Sequence, residues 1–490
     1  MKTTFFRPII WLVVLILIYF PVFSHLDTLP IRKYDEARLA INAYEMLENK
    51  NLLVTTYHGK PDMWNTKPPL MIWLQALCMK WFGINELSVR LPAALASLLT
   101  FITLLVFVSK FFKNRWIGII TIFVLLTTEG FFANHATRTG DYDSLLTFFT
   151  TTSGLFFFSF TQTKKERFLY LFFFTLALAV LTKSISGLLF IPGLVIFAIW
   201  EKQILHLIRN KHFYLGILGF VFLVSGYYLL RENQNPGYLQ AVWDNELGGR
   251  YLSTLERHNH GFWFYLKNLI NLKFTYWYLF IPCGILIGWV HKDQKVVKLT
   301  KFSLLMVFTF ILVISIGKTK LFWYDIPTYP FFALIVGISI YFVFEILNRS
   351  GWTHDKLKYN VVPFIFLFLL FLTPYKKVIN CTHFPKEDNY SSNEIGYYLK
   401  TAYKGYVDVD DYFLMLEGYG AHCEFYVKML QEKNINIRIK HHSKLDPGDK
   451  IIIHQANVKK YIEAEYDYKL LEKSGSILKY QVYERKINEG

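Results

Sequence analysis

The stretch Tyr34-Asp35-Glu36-Ala37-Arg38 decides how this chain is interpreted, because it places acidic and basic side chains soon after the first long apolar run. That run extends from Ile9 to Phe23, and a second motif, Trp64-Asn65-Thr66-Lys67-Pro68-Pro69-Leu70, follows further along the chain. Charged groups beside membrane spans are costly to hold and usually mark function. The sequence therefore predicts a functional loop, residues 24–87, at a membrane surface.

The composition is that of a membrane protein with several spans. Of the 490 residues, 53% are hydrophobic and only 18% are charged, whereas about a quarter are charged in soluble proteins. The net charge of +16 is compatible with nucleic-acid binding, but no nucleic-acid-binding motif accompanies it. Lysine and arginine concentrate instead in alternate loops, where they set membrane topology. We therefore expect membrane lipid, and no nucleic acid, as a partner.

Eleven apolar runs predict a mainly α-helical, polytopic protein with about eleven transmembrane helices, although several runs need flanking residues to reach the ~20 that a span requires. The first run lacks a small-residue cleavage site after it, which indicates an uncleaved helix rather than a signal peptide. The runs are Ile9–Phe23, Val89–Val108, Trp116–Phe132, Leu145–Phe160, Phe168–Leu181, Leu188–Trp200, Phe213–Leu230, Thr275–Val290, Phe302–Ile316, Trp323–Leu347 and Val361–Thr373.

The loops between these runs predict the topology. Alternate loops are basic, at 110–115, 163–167, 201–212, 291–301 and 349–358, and the positive-inside rule assigns them to the cytoplasm together with the N-terminus. The long loops 24–87 and 232–274 then face outward. An odd number of spans also puts the C-terminus outside.

The last part of the chain predicts a separate small domain. We divide the chain into a membrane domain, 1–374, and a soluble extracytoplasmic α/β domain, 375–490. The soluble part carries the strand-like runs Tyr412–Met415 and Lys450–Ile453, with a helical pattern from Glu424 to Lys433. Cys381 and Cys423 also fall there, and a disulfide between them is an open alternative in an oxidising compartment.

The first outer loop is expected to contain helices that lie in the membrane interface. Apolar residues recur with helical spacing after Asp35, and Pro69 to Phe82 is rich in Leu, Met, Trp and Phe, as interfacial helices are. Asp35 and Glu36 are candidate functional acids. The alternative is that they only stabilise the start of a helix through its dipole.

A second acidic cluster, Arg138-Thr139-Gly140-Asp141-Tyr142-Asp143, falls in a short loop on the same predicted side. Asp-Tyr-Asp superficially matches the metal-binding motif of soluble nucleotide-sugar transferases, but no glycine-rich phosphate loop surrounds it. The alternative is a capped helix start in which Arg138 pairs with a nearby acid. The sequence leaves open whether the protein uses a divalent metal cofactor.

Several basic and aromatic side chains on the same side are candidates for binding a phosphate. In Gly317-Lys318-Thr319-Lys320-Leu321-Phe322-Trp323-Tyr324, Lys320 supplies a point charge and Tyr324 a hydrogen-bond donor. The alternative is an interfacial aromatic belt with snorkelling lysines. Lys183 and Arg250 have the same two interpretations. His258 and His260 could bind a metal, although such pairs are more commonly surface residues.

In this order, the motifs resemble the GT-C membrane glycosyltransferases that use polyprenyl-phosphate sugars, above all the bacterial lipid A aminoarabinose transferases and the related protein O-mannosyltransferases. The resemblance covers about 1–347. One departure is Lys183-Ser184, where the family commonly has Lys-Gly. The matching stretches are Tyr34 to Arg38, Lys67-Pro68-Pro69, Glu86 through Arg90-Leu91-Pro92, Arg138 to Asp143, Lys183 to Gly187, His258 to Tyr265 and Lys320 to Pro327.

The resemblance implies an inverting transfer outside the cytoplasmic (inner) membrane of a bacterium. It makes Asp35 the catalytic carboxylate and Asp143 the second acid, with Lys67, Arg250 and Tyr324 on the donor phosphate. Because a polyprenyl phosphate leaves readily, the site needs a base for the acceptor and cations for the phosphate rather than a strong acid. Lipid A, a protein hydroxyl and an envelope polysaccharide are alternative acceptors. The remaining candidate substrate-binding residues are Glu36, Arg38, Arg138, Asp141, Lys183, His258, His260 and Lys320.

Two classes of protein other than enzymes are kept as alternatives. A transporter or lipid flippase would share the many spans, but it predicts paired repeats and helices broken near the middle of the membrane. The charges here cluster at helix ends instead. A sensor whose C-terminal domain detects an external signal is the other alternative, and the Asp35 and Lys67 motifs argue against it.

Overall fold

The structure is a computed structural model that describes residues 6–132, 135–251, 258–349, 360–383 and 393–486. Each of the eleven apolar runs contains a helix, which confirms the mainly helical fold. The α-helices are α1 (Phe6–Val22), α2 (Asp35–Asn49), α3 (Leu70–Phe82), α4 (Glu86–Phe112), α5 (Arg115–Leu126), α6 (Glu129–Phe132), α7 (Asp143–Thr163), α8 (Arg167–Lys183), α9 (Ile191–Trp200), α10 (Ile204–Arg209), α11 (Lys211–Gln234), α12 (Tyr238–Val242), α13 (Phe264–Asn268), α14 (Phe280–Val290), α15 (Gln294–Ile316), α16 (Tyr329–Arg349), α17 (Val362–His383), α18 (Glu394–Tyr403), α19 (Ala421–Gln431) and α20 (Ala456–Glu465).

Seven helices within the described residues are long and apolar enough to cross a membrane, so the expected number of eleven spans stays a prediction. Five further apolar helices are shorter, including the first helix and the predicted interfacial helix α3. The seven are Glu86–Phe112, Asp143–Thr163, Arg167–Leu188, Lys211–Gln234, Gln294–Ile316, Ile326–Arg349 and Val362–His383.

Short polar side chains explain where three of the apolar helices begin. Asn114, Asn210 and Asp293 precede α5, α11 and α15, and each accepts a hydrogen bond from the backbone N–H two residues later. This is the usual N-cap arrangement, which satisfies a backbone donor that the helix leaves unpaired. All three caps fall in or beside loops that the basic residues assign to one side of the membrane.

The chain divides into two compact units, and the first consists of Met1–Ser24, Lys50–Leu74 and Arg90–Phe384. Glycines let some of its helices approach closely. A Cβ on Gly284 of α14 would lie 2.3 Å from the carbonyl oxygen of Ile335 in α16, and one on Gly288 would lie 2.2 Å from Thr300 Oγ1 in α15. The spacing Gly-x-x-x-Gly is the small-residue pattern that membrane helices use for close packing.

The second unit consists of His25–Asn49, Gln75–Val89 and Pro385–Gly490. It contains the predicted small α/β domain. Its strands are β3 (Tyr412–Met415), β4 (Arg438–Lys440), β5 (Lys450–Ile453), β6 (Tyr466–Ser474) and β7 (Ile477–Arg485), whereas β1 (Thr56–Tyr57) and β2 (Lys60–Pro61) form a hairpin in the first loop. The sheet has the strand order β4-β3-β5-β7-β6, in which β3 is parallel to β4 and β5, and β7 is antiparallel to β5 and β6.

Two details bear on the expected domain organisation. The helix α17 continues beyond 374 to His383, and the second unit includes two segments of the first outer loop that no sequence pattern assigned to it. The division at 374 and 375 stays a prediction. Cys381 and Cys423 are not joined by a disulfide.

Candidate active site

The Asp143 carboxylate, at the first residue of α7, is held by a buried lysine at the end of α8. The Nζ of Lys183 lies 2.5 Å from Asp143 Oδ1, and both side chains are almost fully buried. The other carboxylate oxygen, Oδ2, has no hydrogen-bond partner among the described residues. Lys183 therefore neutralises the carboxylate and leaves one oxygen available to accept a hydrogen bond from a substrate.

Ser184, the residue after Lys183, has a backbone conformation that favours glycine, the residue commonly found there in the family that the motifs resemble. Ser184 has φ 49° and ψ −136°, a backbone conformation that is sparsely populated except by glycine. Its hydroxyl accepts a hydrogen bond of 3.1 Å from Tyr228, which helps to hold this conformation. The chain turns here from α8 into a short 3₁₀ segment, Ser184–Leu188.

Asp141 forms a second buried acidic group. Its Oδ1 lies 3.2 Å from His135 Nδ1, and the imidazole stacks on the Trp323 ring with the centroids 3.6 Å apart. His135 also has a φ of 65°, which is uncommon for residues other than glycine. His135 was not among the predicted site residues, although a histidine three residues before the Arg138 motif is visible in the sequence.

Lys67 lies in the same unit and is paired rather than exposed on a surface. Its Nζ is 3.5 Å from Glu246 Oε1 and 5.7 Å from the centre of the Tyr142 ring. Tyr142 is fixed in turn by hydrogen bonds between its hydroxyl and the Asn65 amide, at 2.9 and 3.1 Å. Because Tyr142 lies between Asp141 and Asp143 in the chain, these contacts bring Lys67 to the acidic cluster.

A buried arginine near Lys67 was also missed. Arg231 of α11 is fully buried, and its three guanidinium nitrogens have no hydrogen-bond partner among the described residues. The guanidinium carbon lies 4.9 Å from the centre of the Tyr238 ring, and the Tyr238 hydroxyl donates a 2.8 Å hydrogen bond to the carbonyl of Thr66. Burial raises the pKa of Tyr238, so its hydroxyl stays a donor. An arginine inside a long apolar helix carries no local signal for the residues that it contacts, so the sequence alone could not predict the position of Arg231 beside Tyr238.

The predicted Lys320–Tyr324 segment is close to both histidines of the outer loop. The Lys320 amide donates to the His258 carbonyl at 3.0 Å, and Lys320 Nζ donates to the Gly317 carbonyl at 2.6 Å. Burial lowers the pKa of Lys320. His260 stacks on Phe264 at 4.1 Å, whereas the Tyr324 ring lies 5.6 Å from Lys183 Nζ. Tyr324 is therefore the member of this group that the structure brings to Asp143.

Arg138 contacts the protein backbone, and its alternative pairing with a nearby acid stays a prediction. Its guanidinium donates to the carbonyls of Pro21 and Ser24, at 3.0 and 2.7 Å, and so binds the C-terminal end of α1. Burial, followed by repulsion from Arg90, lowers its pKa to about 10. The side chain of Arg250, another predicted site residue, lies outside the described part of the structure.

The second unit holds Asp35, Glu36 and Arg38 at the start of α2. Asp35 is exposed and Glu36 is buried, and Glu36 Oε2 accepts a 2.8 Å hydrogen bond from the Arg32 amide. This bond ties Glu36 to the backbone that precedes the helix, and stabilisation through the helix dipole stays the alternative for both acids. Arg38 hydrogen-bonds to the side chain of Tyr419.

Comparison with known proteins shows a fold, and a family match over part of the chain. Residues 66–228 match the family described as dolichyl-phosphate-mannose-protein mannosyltransferase. An uncharacterized protein of Aquifex aeolicus (strain VF5) is 28% identical over 67% of this chain and 63% of its own length. An undecaprenyl phosphate-alpha-4-amino-4-deoxy-L-arabinose arabinosyl transferase of Shewanella sediminis (strain HAW-EB3) is 27% identical over 64% of this chain and 56% of its own. The chain thus spans less than two thirds of either relative.

A solved structure extends the likeness to nearly the whole chain. The crystal structure of ArnT from Cupriavidus metallidurans bound to undecaprenyl phosphate has a TM-score of 0.73, with 13% sequence identity over 98% of both chains. At that identity the match establishes the fold. It supports the predicted GT-C architecture, including the small domain at the C-terminus.

Proposed function

We propose that this chain, an aminoarabinose transferase-like protein with the GT-C fold, is a membrane glycosyltransferase that takes its sugar from a polyprenyl phosphate. The buried Asp143–Lys183 pair carries the proposal, because one carboxylate oxygen is held and the other has no partner among the described residues. A buried, half-satisfied acid is expensive to keep, and such groups cluster at functional sites.

In the proposed reaction, an acceptor oxygen attacks the anomeric carbon while the bond between that carbon and the phosphate oxygen breaks. Asp35 takes the acceptor proton, and polyprenyl phosphate leaves with the bonding electrons. Asp143 Oδ2 accepts a hydrogen bond from the sugar or the acceptor. Lys67, Arg250 and Tyr324 stabilise the phosphate charge that develops in the transition state. A single displacement of this kind inverts the anomeric configuration.

The donor class is supported by the names of the relatives, which include undecaprenyl phosphate-linked aminoarabinose. Lipid A is the acceptor that we propose first. The membrane is then the inner membrane of a bacterium, with Asp35, Asp143 and the C-terminal domain on its outer side. The match to a protein mannosyltransferase family over 66–228 favours a protein hydroxyl as the second acceptor.

The test measures transfer of labelled sugar from polyprenyl phosphate by the purified chain, with lipid A and with an envelope protein extract as separate acceptors. We expect wild type to transfer, and D35N to lose activity by a factor of at least about 10², the usual contribution of a general base. A folded D143N should also lose activity, because the amide removes the negative charge that Lys183 holds beside the substrate. D293N is the matched control, because Asp293 caps α15 and asparagine caps a helix equally well.

Three outcomes have distinct meanings. Full activity of a folded D35N removes Asp35 as the base. Equal losses in all three variants show a general defect. Lipid movement between leaflets without transfer supports the flippase alternative. Repeating the assay with EDTA and with added Mg²⁺ or Mn²⁺ tests the open question of a divalent cofactor.

A further inference from the structure

A tyrosine of the C-terminal domain anchors the backbone that leads into the Asp35 helix. The hydroxyl of Tyr426, which belongs to α19, accepts a 3.0 Å hydrogen bond from the Ile31 amide. The same hydroxyl donates a 2.6 Å hydrogen bond to Glu86 Oε1, at the start of α4. Tyr426 and Ile31 are fully buried, and Glu86 is 3% exposed. One hydroxyl therefore joins three segments that are distant in sequence.

A lysine of α18 completes this network. Lys400 Nζ lies 2.9 Å from Glu86 Oε1 and donates to the carbonyl of Asp27. Asp27 and Ile31 both precede the helix that begins at Asp35. The buried Glu86 carboxylate thus accepts from a phenol and an ammonium, which satisfies the charge-assisted bonding that a buried acid requires.

A second tyrosine of the domain contacts the Asp35 segment directly. Tyr419 stacks on Tyr34 with the ring centres 5.9 Å apart, and its hydroxyl donates to the Tyr34 carbonyl at 3.2 Å. Its side chain also bonds Arg38. These contacts fix the residue before Asp35 and the residue one turn after it.

We propose that the C-terminal domain is a positioning device for the proposed catalytic loop, with Tyr426, Lys400 and Tyr419 as positioning residues that set the location of Asp35. This inference rests on the proposed function. Reacting groups must be held to within a fraction of an ångström, because a misplacement of about 1 Å can cost a factor of ~10² in rate. A loop tied to a folded domain loses much less conformational freedom on binding than an untethered loop.

The test compares Y426F with Y480F in the full chain. Tyr480 is a matched control, because it is 3% exposed and donates a 2.7 Å hydrogen bond to Glu463 within the sheet region of the same domain. Each substitution removes one phenol hydroxyl from a carboxylate and keeps the ring. Only Y426F also releases the Ile31 amide.

We expect Y426F to lower kcat about tenfold or more while KM for the lipid donor stays nearly constant, since Asp35 acts on the acceptor proton. We also expect faster hydrogen exchange at residues 27–36. Y480F should keep wild-type kcat and wild-type exchange in that segment. Wild-type kcat and exchange in Y426F, or equal losses in both variants, overturn the proposal.

The exchange measurement separates this inference from the proposed reaction. If wild type transfers no sugar but Y426F still accelerates exchange at 27–36 and Y480F does not, the anchoring is right and the proposed function is wrong. If wild type transfers sugar and Y426F changes neither kcat nor exchange, the function stands and the anchoring is wrong.

Discussion

Among the individual residues, the Asp143–Lys183 pair has the clearest effect on the stability of the folded protein. Removing one partner of a buried ion pair leaves an uncompensated charge, which typically costs about 3–5 kcal/mol. We expect K183M to lower the melting temperature strongly and to abolish transfer. The double variant K183M/D143N should recover much of the stability and none of the activity. Thermal unfolding of wild type, K183M, D143N and the double variant in one detergent checks this, and a K183M as stable as wild type contradicts it.

Ser184 gives a prediction about backbone strain. A non-glycine residue at φ 49° and ψ −136° stores roughly 1–3 kcal/mol. S184G should relieve that strain, and this gain should outweigh the loss of the Tyr228 hydrogen bond, which is worth about 1 kcal/mol. S184A loses the bond and keeps the strain, so it should be less stable than both S184G and wild type. A higher melting temperature for S184A than for S184G would show that the strain is absent.

Arg231 is expected to reduce stability while supporting binding. Its buried guanidinium has no acceptor among the described residues, and taking one charge out of water costs on the order of several kcal/mol. We expect R231M to raise the melting temperature of the unliganded chain. If Arg231 binds a phosphate oxygen, added polyprenyl phosphate should stabilise R231M less than wild type. Equal ligand-induced shifts would assign Arg231 to packing on Tyr238.

At the scale of helices, glycine packing yields a comparison between two similar substitutions. Gly284 faces the Ile335 carbonyl so closely that a Cβ would lie 2.3 Å from the oxygen, whereas nothing lies within 4 Å of a Cβ on Gly219 in α11. Alanine stabilises a helix by roughly 0.5–1 kcal/mol over glycine. We therefore expect G219A to be stabilising or neutral and G284A to be destabilising. A higher melting temperature for G284A than for wild type would contradict the close approach of α14 and α16.

The helices also show what the sequence can and cannot predict. Apolar runs and Asx caps are local signals, and so the runs, the helix at Asp35 and the strands Tyr412–Met415 and Lys450–Ile453 were predictable. Partnerships between distant residues leave no such signal. Lys183 pairs with an acid forty positions earlier, and Tyr426 bonds Glu86, 340 positions away. The same applies to Arg138, whose contacts with the carbonyls of Pro21 and Ser24 leave no local signal in the sequence.

At the scale of the whole molecule, the second unit is built from three separated pieces of chain. Its stability therefore depends on the first-loop segments as well as on Pro385–Gly490. A truncated protein that lacks 25–49 and 75–89 would expose the surfaces of α18 and α19 on which those segments pack. Experiments on this unit therefore need the full chain, and the stability of the unit affects the loop that carries Asp35.

Two histidines, the buried His422 and the half-buried His454, predict how that stability depends on pH. Burial is the main cause that lowers the pKa of both His422 and His454 to about 4. Repulsion from His454 and then from Lys33 adds to the effect on His422, and repulsion from Lys33 adds to the effect on His454. The unfolded chain, with a histidine pKa near ~6.5, then binds more protons than the folded chain between these values. Stability is complete above about pH 6.5 and is lost as the pH falls toward 4, by up to roughly 3 kcal/mol for each histidine at 1.36 kcal/mol per pKa unit.

Hydrogen exchange in β3 and β5, corrected for the intrinsic effect of pH, measures this loss between pH 7.5 and 4.5. We expect H454Q to lose less stability between these pH values, by about the contribution of one histidine. H441Q, at an exposed position, should lose as much stability as wild type. A decline that is equally steep in H454Q would assign the acid sensitivity to other groups. If the decline follows His454, acid should also accelerate exchange at residues 27–36, because the domain that loosens is the one that holds the Asp35 loop.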